Sequence, residues 1–280
     1  MKGLLHAMVL FSCPLVATAQ SVLYITTGNG SYSDLYKVNT TTFDAVLIGP
    51  AKVGTASLTL TGLAVHPGTG VVYGILGSEN TPARELYSFN PDTAQGVLVG
   101  SFDPNKATDI AFAPNGTLYS WGTRGGPLGT INLGTGAITT IGAGSNGTGA
   151  NGIAFTSDGT LYLAGPLTGG SLFKVNLTTG DLTAVAAFTN VPAGADNISA
   201  MTLGPDGMLY AVTRNNRALL LSINPATANV TLLATLAFSA DALTFVPVPE
   251  PSTWALLLLG IGMIGVGAWR RSRAARAPHR

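Results

Sequence analysis

The sequence predicts an all-β fold, a five-bladed β-propeller closed by pairing of its N- and C-terminal strands, followed by one C-terminal transmembrane helix. Three observations carry this reading. A hairpin motif recurs at near-constant spacing, a spare strand stands after the last repeat, and an apolar segment of different character ends the chain. The clearest copy of the hairpin is residues 109–119, D-I-A-F-A-P-N-G-T-L-Y: a short apolar strand, a tight turn on Pro114-Asn115-Gly116, then a second strand. It returns as G-I-A-F-T-S-D-G-T-L-Y at 152–162, as A-M-T-L-G-P-D-G-M-L-Y at 200–210, and more loosely as G-L-A-V-H-P-G-T-G-V-V-Y at 62–73. Internal repetition at this period sets the architecture before any single residue is weighed.

Aligned on the hairpin tyrosine, the copies fall at Tyr24, Tyr73, Tyr119, Tyr162 and Tyr210, with spacings of 49, 46, 43 and 48. A third strand follows each, at 35–39, 86–90, 128–132, 172–176 and 220–224, and each ends in asparagine. Asn side chains accept from backbone N–H groups two residues on, so each of these ends predicts a turn. Fourth strands follow at 43–48, 96–99, 137–141 and 182–187. Four strands per unit of about 45 residues is the period of a propeller blade. The first unit lacks an innermost strand before Tyr24, and the spare strand at 242–246 supplies it. Sharing one blade between the two chain ends removes the open sheet edge. A β-solenoid or a sandwich array explains neither the period nor the spare strand as well. The body at 20–247 resembles five-bladed propellers of the broad NHL-like and lactonase-like kind, a likeness of architecture that brings no activity with it.

Composition narrows the function classes. Residues 20–248 hold 8 basic and 12 acidic side chains, a net charge of −4, with no basic patch for nucleic acid. The remaining basic residues lie in the leader or the tail. Cys13, the single cysteine, is in the leader, so the body has neither disulfide nor thiol chemistry. Residues 1–19 read as a secretory signal peptide: Lys2, a mostly apolar run at 4–16, then Ala17-Thr18-Ala19 before Gln20. A lipoprotein signal on Cys13 fits less well, because Phe11 is bulky where small residues are usual.

The tail reads V-P-E-P-S-T-W-A-L-L-L-L-G-I-G from Val248, through Pro249, Glu250 and Pro251. An apolar stretch runs from Trp254 to Trp269, the two tryptophans placed as interface anchors, before the basic end of Arg270, Arg271 and Arg273. Residues 274–280 would then be a cytoplasmic tail. Motif, helix and basic end in this order resemble the PEP-CTERM sorting signal of Gram-negative bacteria, over 248–273. The resemblance implies an inner-membrane intermediate and an exosortase as processing partner, with cleavage near Pro249-Glu250-Pro251. It further implies release to the cell surface or the extracellular matrix, where members of the family often accompany exopolysaccharide and biofilm.

Inside the body the single histidine, His66, occupies a hairpin turn, so Ser-His-Asp and Cys-His arrangements are disfavoured. The positions where innermost strands begin hold Thr61, Thr108, Asn151, Ser199 and Asp241, with Asp109 one residue further in its blade. Such a polar ring at the channel mouth is the place for a Ca²⁺ ion or a sugar hydroxyl, although two carboxylates are few for a hard cation. No cofactor is otherwise expected. The links into the innermost strands and those between second and third strands are long, and both sets emerge on one face. Variable loops on a rigid scaffold are where binding resides, which makes Tyr32, Trp121, Arg124, Arg214 and Arg217 contact candidates for an exopolysaccharide or surface protein. The expectation is a non-catalytic binding or structural protein; the alternative is a metal-dependent propeller hydrolase or lactonase.

Overall fold

A computed structural model describes residues 21–28, 32–76, 84–102, 107–122, 126–142 and 152–248. The signal peptide, the sorting motif from Pro249 onward, the expected transmembrane helix and the tail at 274–280 lie outside the described residues. Among the described residues no helix is long and apolar enough to cross a membrane.

Five sheets succeed one another along the chain, each built on four antiparallel strands. The first holds β1 (Ser21–Thr27), β2 (Asp34–Val38) and β3 (Ala45–Pro50). Two short strands, β4 (Lys52–Val53) and β5 (Ala56–Ser57), lead to the second blade: β6 (Leu60–Val65), β7 (Val72–Leu76), β8 (Arg84–Asn90) and β9 (Gln95–Phe102). This second sheet is widened by β4, lying parallel to β9, and by β5. The third is β10 (Asp109–Phe112), β11 (Leu118–Trp121), β12 (Leu128–Ile131) and β13 (Ile138–Ile141). The fourth is β14 (Gly152–Phe155), β15 (Leu161–Ala164), β16 (Ser171–Val175) and β17 (Leu182–Ala187). The fifth is β18 (Ile198–Leu203), β19 (Leu209–Thr213), β20 (Leu219–Ile223) and β21 (Val230–Thr235). The last strand, β22 (Ala240–Pro247), returns to pair antiparallel with β1, from Ser21↔Pro247 to Thr27↔Ala240. The spare strand therefore closes the first blade, as the repeat pattern predicts.

The hydrophobic clusters lie between blades rather than within them. Each of the five draws on two neighbouring sheets, as where Ala111, Trp121 and Leu128 meet Ile153, Leu161 and Leu163. The repeated tyrosine has a part in this packing. Tyr73 meets Phe112 of the next blade with ring centroids 5.5 Å apart, Tyr119 meets Phe155 at 5.2 Å, and Tyr210 meets Phe245 at 4.9 Å. Such offset and edge-on aromatic pairs add about 0.5–1.5 kcal/mol each beyond the area they bury.

The turn between third and fourth strands is the same device in every blade. Asn39, Asn90, Asn132, Asn176 and Asn224 each accept from the N–H two residues on, at 2.8–2.9 Å. Four residues after each asparagine the backbone turns left-handed, at Phe43, Ala94, Gly136, Gly180 and Ala228. Phe43 thus belongs to the turn, so the first fourth strand starts at Ala45 rather than at the expected 43. Sheet twist leans the end of one outer strand onto the next blade's turn. A Cβ on Gly100 would overlap the carbonyl of Thr135, and one on Gly142 that of Thr179.

Candidate functional site at the loop end of the axis

The innermost strands all begin at one end of the axis, beneath the links between blades. Thr61, Thr108, Asp109, Ser199 and Asp241 lie at this end, and they differ in what they do. Asp109 is fully buried. Its Oδ1 accepts the N–H of Ile110 at 2.9 Å, and its Oδ2 accepts those of Ile153 at 3.0 Å and Met201 at 3.2 Å. One carboxyl of the third blade thereby joins the innermost strands of the fourth and fifth. Gly62 of the second blade makes room for it, since a Cβ there would sit 3.0 Å from Oδ1 and 3.1 Å from the Asp109 Cα. Burial pushes the Asp109 pKa well above the usual carboxylate range, opposed by the three N–H donors and helped by the nearby Asp241. Asp109 is a structural hub.

Asp241, at the start of β22, is the ionisable group of the site. It is 7% exposed, and burial pushes its pKa up to about 6 against the pull of Arg214, the Ser199 hydroxyl and Arg84. Ser199 faces this carboxyl closely enough to favour its charge, yet its Oγ makes no hydrogen bond of good geometry. The buried hydroxyls of Thr61 and of Thr26, which pairs in register with Ala242, also lack a partner. Buried polar groups are ordinarily satisfied, so unmet hydroxyls clustered at one end of the axis mark it out. Arg84 is itself buried and donates from Nη1 to the carbonyl of Ala107. Thr108 is tied down, its N–H and its hydroxyl both bonding the carbonyl of Trp121 at 2.6 and 3.1 Å. Asn151 lies outside the described residues.

These residues do not fit a hard cation. Ca²⁺ seeks six to eight oxygens with several carboxylates among them. Here one carboxylate is occupied by three backbone donors and the other faces two guanidinium groups. No three His, Cys, Asp or Glu side chains converge among the described residues. Nor does His66 join either aspartate, for it lies at the other end of the innermost strands. Its Nδ1 accepts the N–H groups of Gly68 and Thr69 at 3.1 and 3.2 Å, and its ring meets Phe112 edge-on.

The rim corrects part of the contact expectation. Tyr32, Arg214 and Arg217 are exposed, and Arg214 donates its backbone N–H to Asn197 at the head of β18. Trp121 is not a contact residue. It ends β11 opposite Asp109 and Leu128 and is wholly buried between the third and fourth blades. Arg124 lies outside the described residues. Two of the long links prove to be straps packed along the ring. Ala51 bonds the carbonyl of Ser33 while Lys52 bonds that of Ala94, and Thr189 pairs with the turn at Ala228 and Val230. Ser33 went unread in the sequence. Fully buried, its hydroxyl donates to Thr27 at 2.7 Å and accepts the N–H of Leu60 at 2.9 Å, joining the first two blades. A lone serine in a glycine-rich stretch gives no signal of that role. Arg84 did, as a charged residue heading a strand that the repeat makes internal.

Comparison with known proteins separates tail from body. Residues 247–272 match the PEP-CTERM protein-sorting motif, which implies export, membrane anchoring and processing by an exosortase. Residues 136–245 match a repeat of unknown function, DUF6923. No curated protein matches the chain. Among solved structures, a protein of unknown function from Bacteroides caccae is similar at 11% identity and TM-score 0.50, over 81% of this chain and 98% of that one. A second, of unknown function from Bacteroides thetaiotaomicron, is similar at 14% identity and TM-score 0.51, over 83% of this chain and 62% of that one. TolB from Acinetobacter baumannii is similar at 15% identity and TM-score 0.47, this chain spanning 54% of its length. At these identities the likeness is one of fold alone.

Proposed function

We propose that this chain, a five-bladed β-propeller bearing a PEP-CTERM protein-sorting motif, is a non-catalytic saccharide-binding protein that acts at the cell surface or in the extracellular matrix after exosortase processing. The observation that carries the reading is the loop end of the axis. There an ionisable carboxyl, Asp241, stands beside the guanidinium groups of Arg214 and Arg84, at the end of the axis where the hydroxyls of Thr26, Thr61 and Ser199 have no partner among the described residues. Carboxylates accept from sugar hydroxyls and guanidinium groups donate to sugar oxygens, so this set suits a polyhydroxylated chain. Exposed Tyr32 and Arg217 extend the same face. Ser21 and Pro247 pair at the far end of β1 and β22, on the face opposite the loop end. Among the described residues neither histidine nor cysteine stands beside a carboxyl of this site.

The test is calorimetric titration of the body, residues 20–248, with a neutral hexose hexamer and with a uronic-acid hexamer. Saturable binding of either is expected, weakened at least tenfold by Asp241→Asn and by Arg214→Ala. That loss corresponds to about 1.4 kcal/mol. Absence of saturable binding would leave a purely structural matrix component. Metal-dependent turnover of a lactone or ester, abolished by Asp241→Asn, would establish the hydrolase alternative instead.

A further inference from the structure

The opposite end of the axis has a character of its own. A cavity of about 340 Å³ opens there among the hairpin turns, walled by the innermost strands of all five blades. Its origin is in the repeat. The third residue of the motif is small in four blades, Ala64, Ala111, Ala154 and Thr202, as is Thr244 at the matching position of the closing strand, where a larger side chain would fill the axis. The next residue forms the wall, and in three blades it is phenylalanine: Phe112, Phe155 and Phe245. Each of these rings is held by the hairpin tyrosine of the preceding blade, so the wall is ordered by the packing of the ring itself. The hub carboxyl of Asp109 lies directly behind Ile110 and Met201, which line the inner part of the cavity.

Among the described residues no charged side chain lines this space. A charged ligand would lose its hydration there without compensation, and a sugar would leave most of its hydroxyls unmet. The polar groups that do face it are few. Thr244 is 2% exposed and lines the cavity, and the half-buried Thr202 of the adjoining blade lines it beside Thr244. A hydroxyl set in an apolar and preformed wall is the arrangement that orients a small ligand. The volume lies near the lower end of the range for small-molecule pockets, about 300–1,000 Å³.

We propose that this cavity binds a small neutral molecule with one carbon ring and a hydroxyl or carbonyl group. The ring lies against the phenylalanine wall, and the polar group bonds Thr244 and Thr202. The site is independent of the saccharide reading, since it shares no residue with the loop end of the axis.

The experiment is titration of residues 20–248 with p-cresol, with toluene and with p-toluate, followed by calorimetry and ligand-observed NMR. One saturable site for p-cresol is expected, with toluene weaker and the anion p-toluate unbound. Thr244→Val keeps the shape of the wall and should weaken p-cresol about tenfold while leaving toluene within about twofold, the difference of one neutral hydrogen bond. Ala111→Leu should fill the cavity and abolish both; should it fail to fold, Thr202→Val takes its place, with a smaller loss confined to p-cresol. Absence of saturable p-cresol binding overturns the proposal, as does binding that Thr244→Val and the second variant leave unchanged.

Discussion

Asp241 makes the stability of the folded body depend on pH. In an unfolded chain an aspartate titrates near 3.9, whereas here burial places it at about 6. Between those values the native state holds more protons than the unfolded one, so stability falls as pH rises through the window. The contribution is fully present below about pH 4 and gone above about pH 6. A difference of about two pH units corresponds to roughly 3 kcal/mol, an order-of-magnitude figure that the nearby Arg214 and Arg84 already moderate. Urea midpoints measured from pH 4 to pH 6.5 should decline for the wild-type body, and Asp241→Asn should remove a large part of that decline. An equal decline in the variant would place the titrating group elsewhere. Asp109 acts in the same direction, since burial raises its pKa as well. Its removal has a different consequence. Asp109→Ala strands the N–H groups of Ile110, Ile153 and Met201 without their acceptor, and a loss of about 3 kcal/mol or more is expected in chemical denaturation.

At the scale of elements, the blades are made alike by their turns and fitted together by their glycines. The end of β9 leans onto the turn between β12 and β13 so closely that a Cβ on Gly100 would meet the Thr135 carbonyl, and one on Gly136 would meet Gly100. Backbone cannot give way as a flexible side chain does. Gly100→Ala should therefore cost about 1–3 kcal/mol, the range for forced overpacking, read as a lowered thermal midpoint. Gly159→Ala, at a hairpin turn with nothing near its Cβ, separates crowding from the cost of a left-handed backbone alone. This scale also shows where the sequence was legible. Strand positions and asparagine turns could be read because they are local: alternation and Asx chemistry are written within a few residues. The burial of Trp121 could not. Its immediate context, S-W-G-T-R, reads as a loop, and only the neighbouring blade at Ile153 and Leu163 makes it core.

For the whole molecule, closure of the ring by β1 and β22 lies entirely within the body. That body, Ser21–Pro247, is one compact unit. Ending the chain at Val248 should leave its thermal midpoint unchanged, whereas ending it at Ser239 deletes β22 and should prevent cooperative folding, because the first blade then loses its innermost strand. Intact mass of protein recovered outside its native host gives the companion measurement. A C-terminus near Pro249 to Pro251 is expected, and a mass that includes 254–280 would contradict processing.

The sequence by itself determined the blade count, the shared blade and the sorting motif, since each is a repeated or contiguous pattern that needs no partner to be recognised. Tertiary structure decided which members of the polar ring have spare chemistry. Thr108, Asp109, Ser199 and Asp241 look alike as polar residues at strand starts, yet Asp109 is consumed by three backbone donors and Asp241 is not. That distinction depends on N–H groups 44 and 92 residues away in sequence, which only closure of the ring brings to the axis.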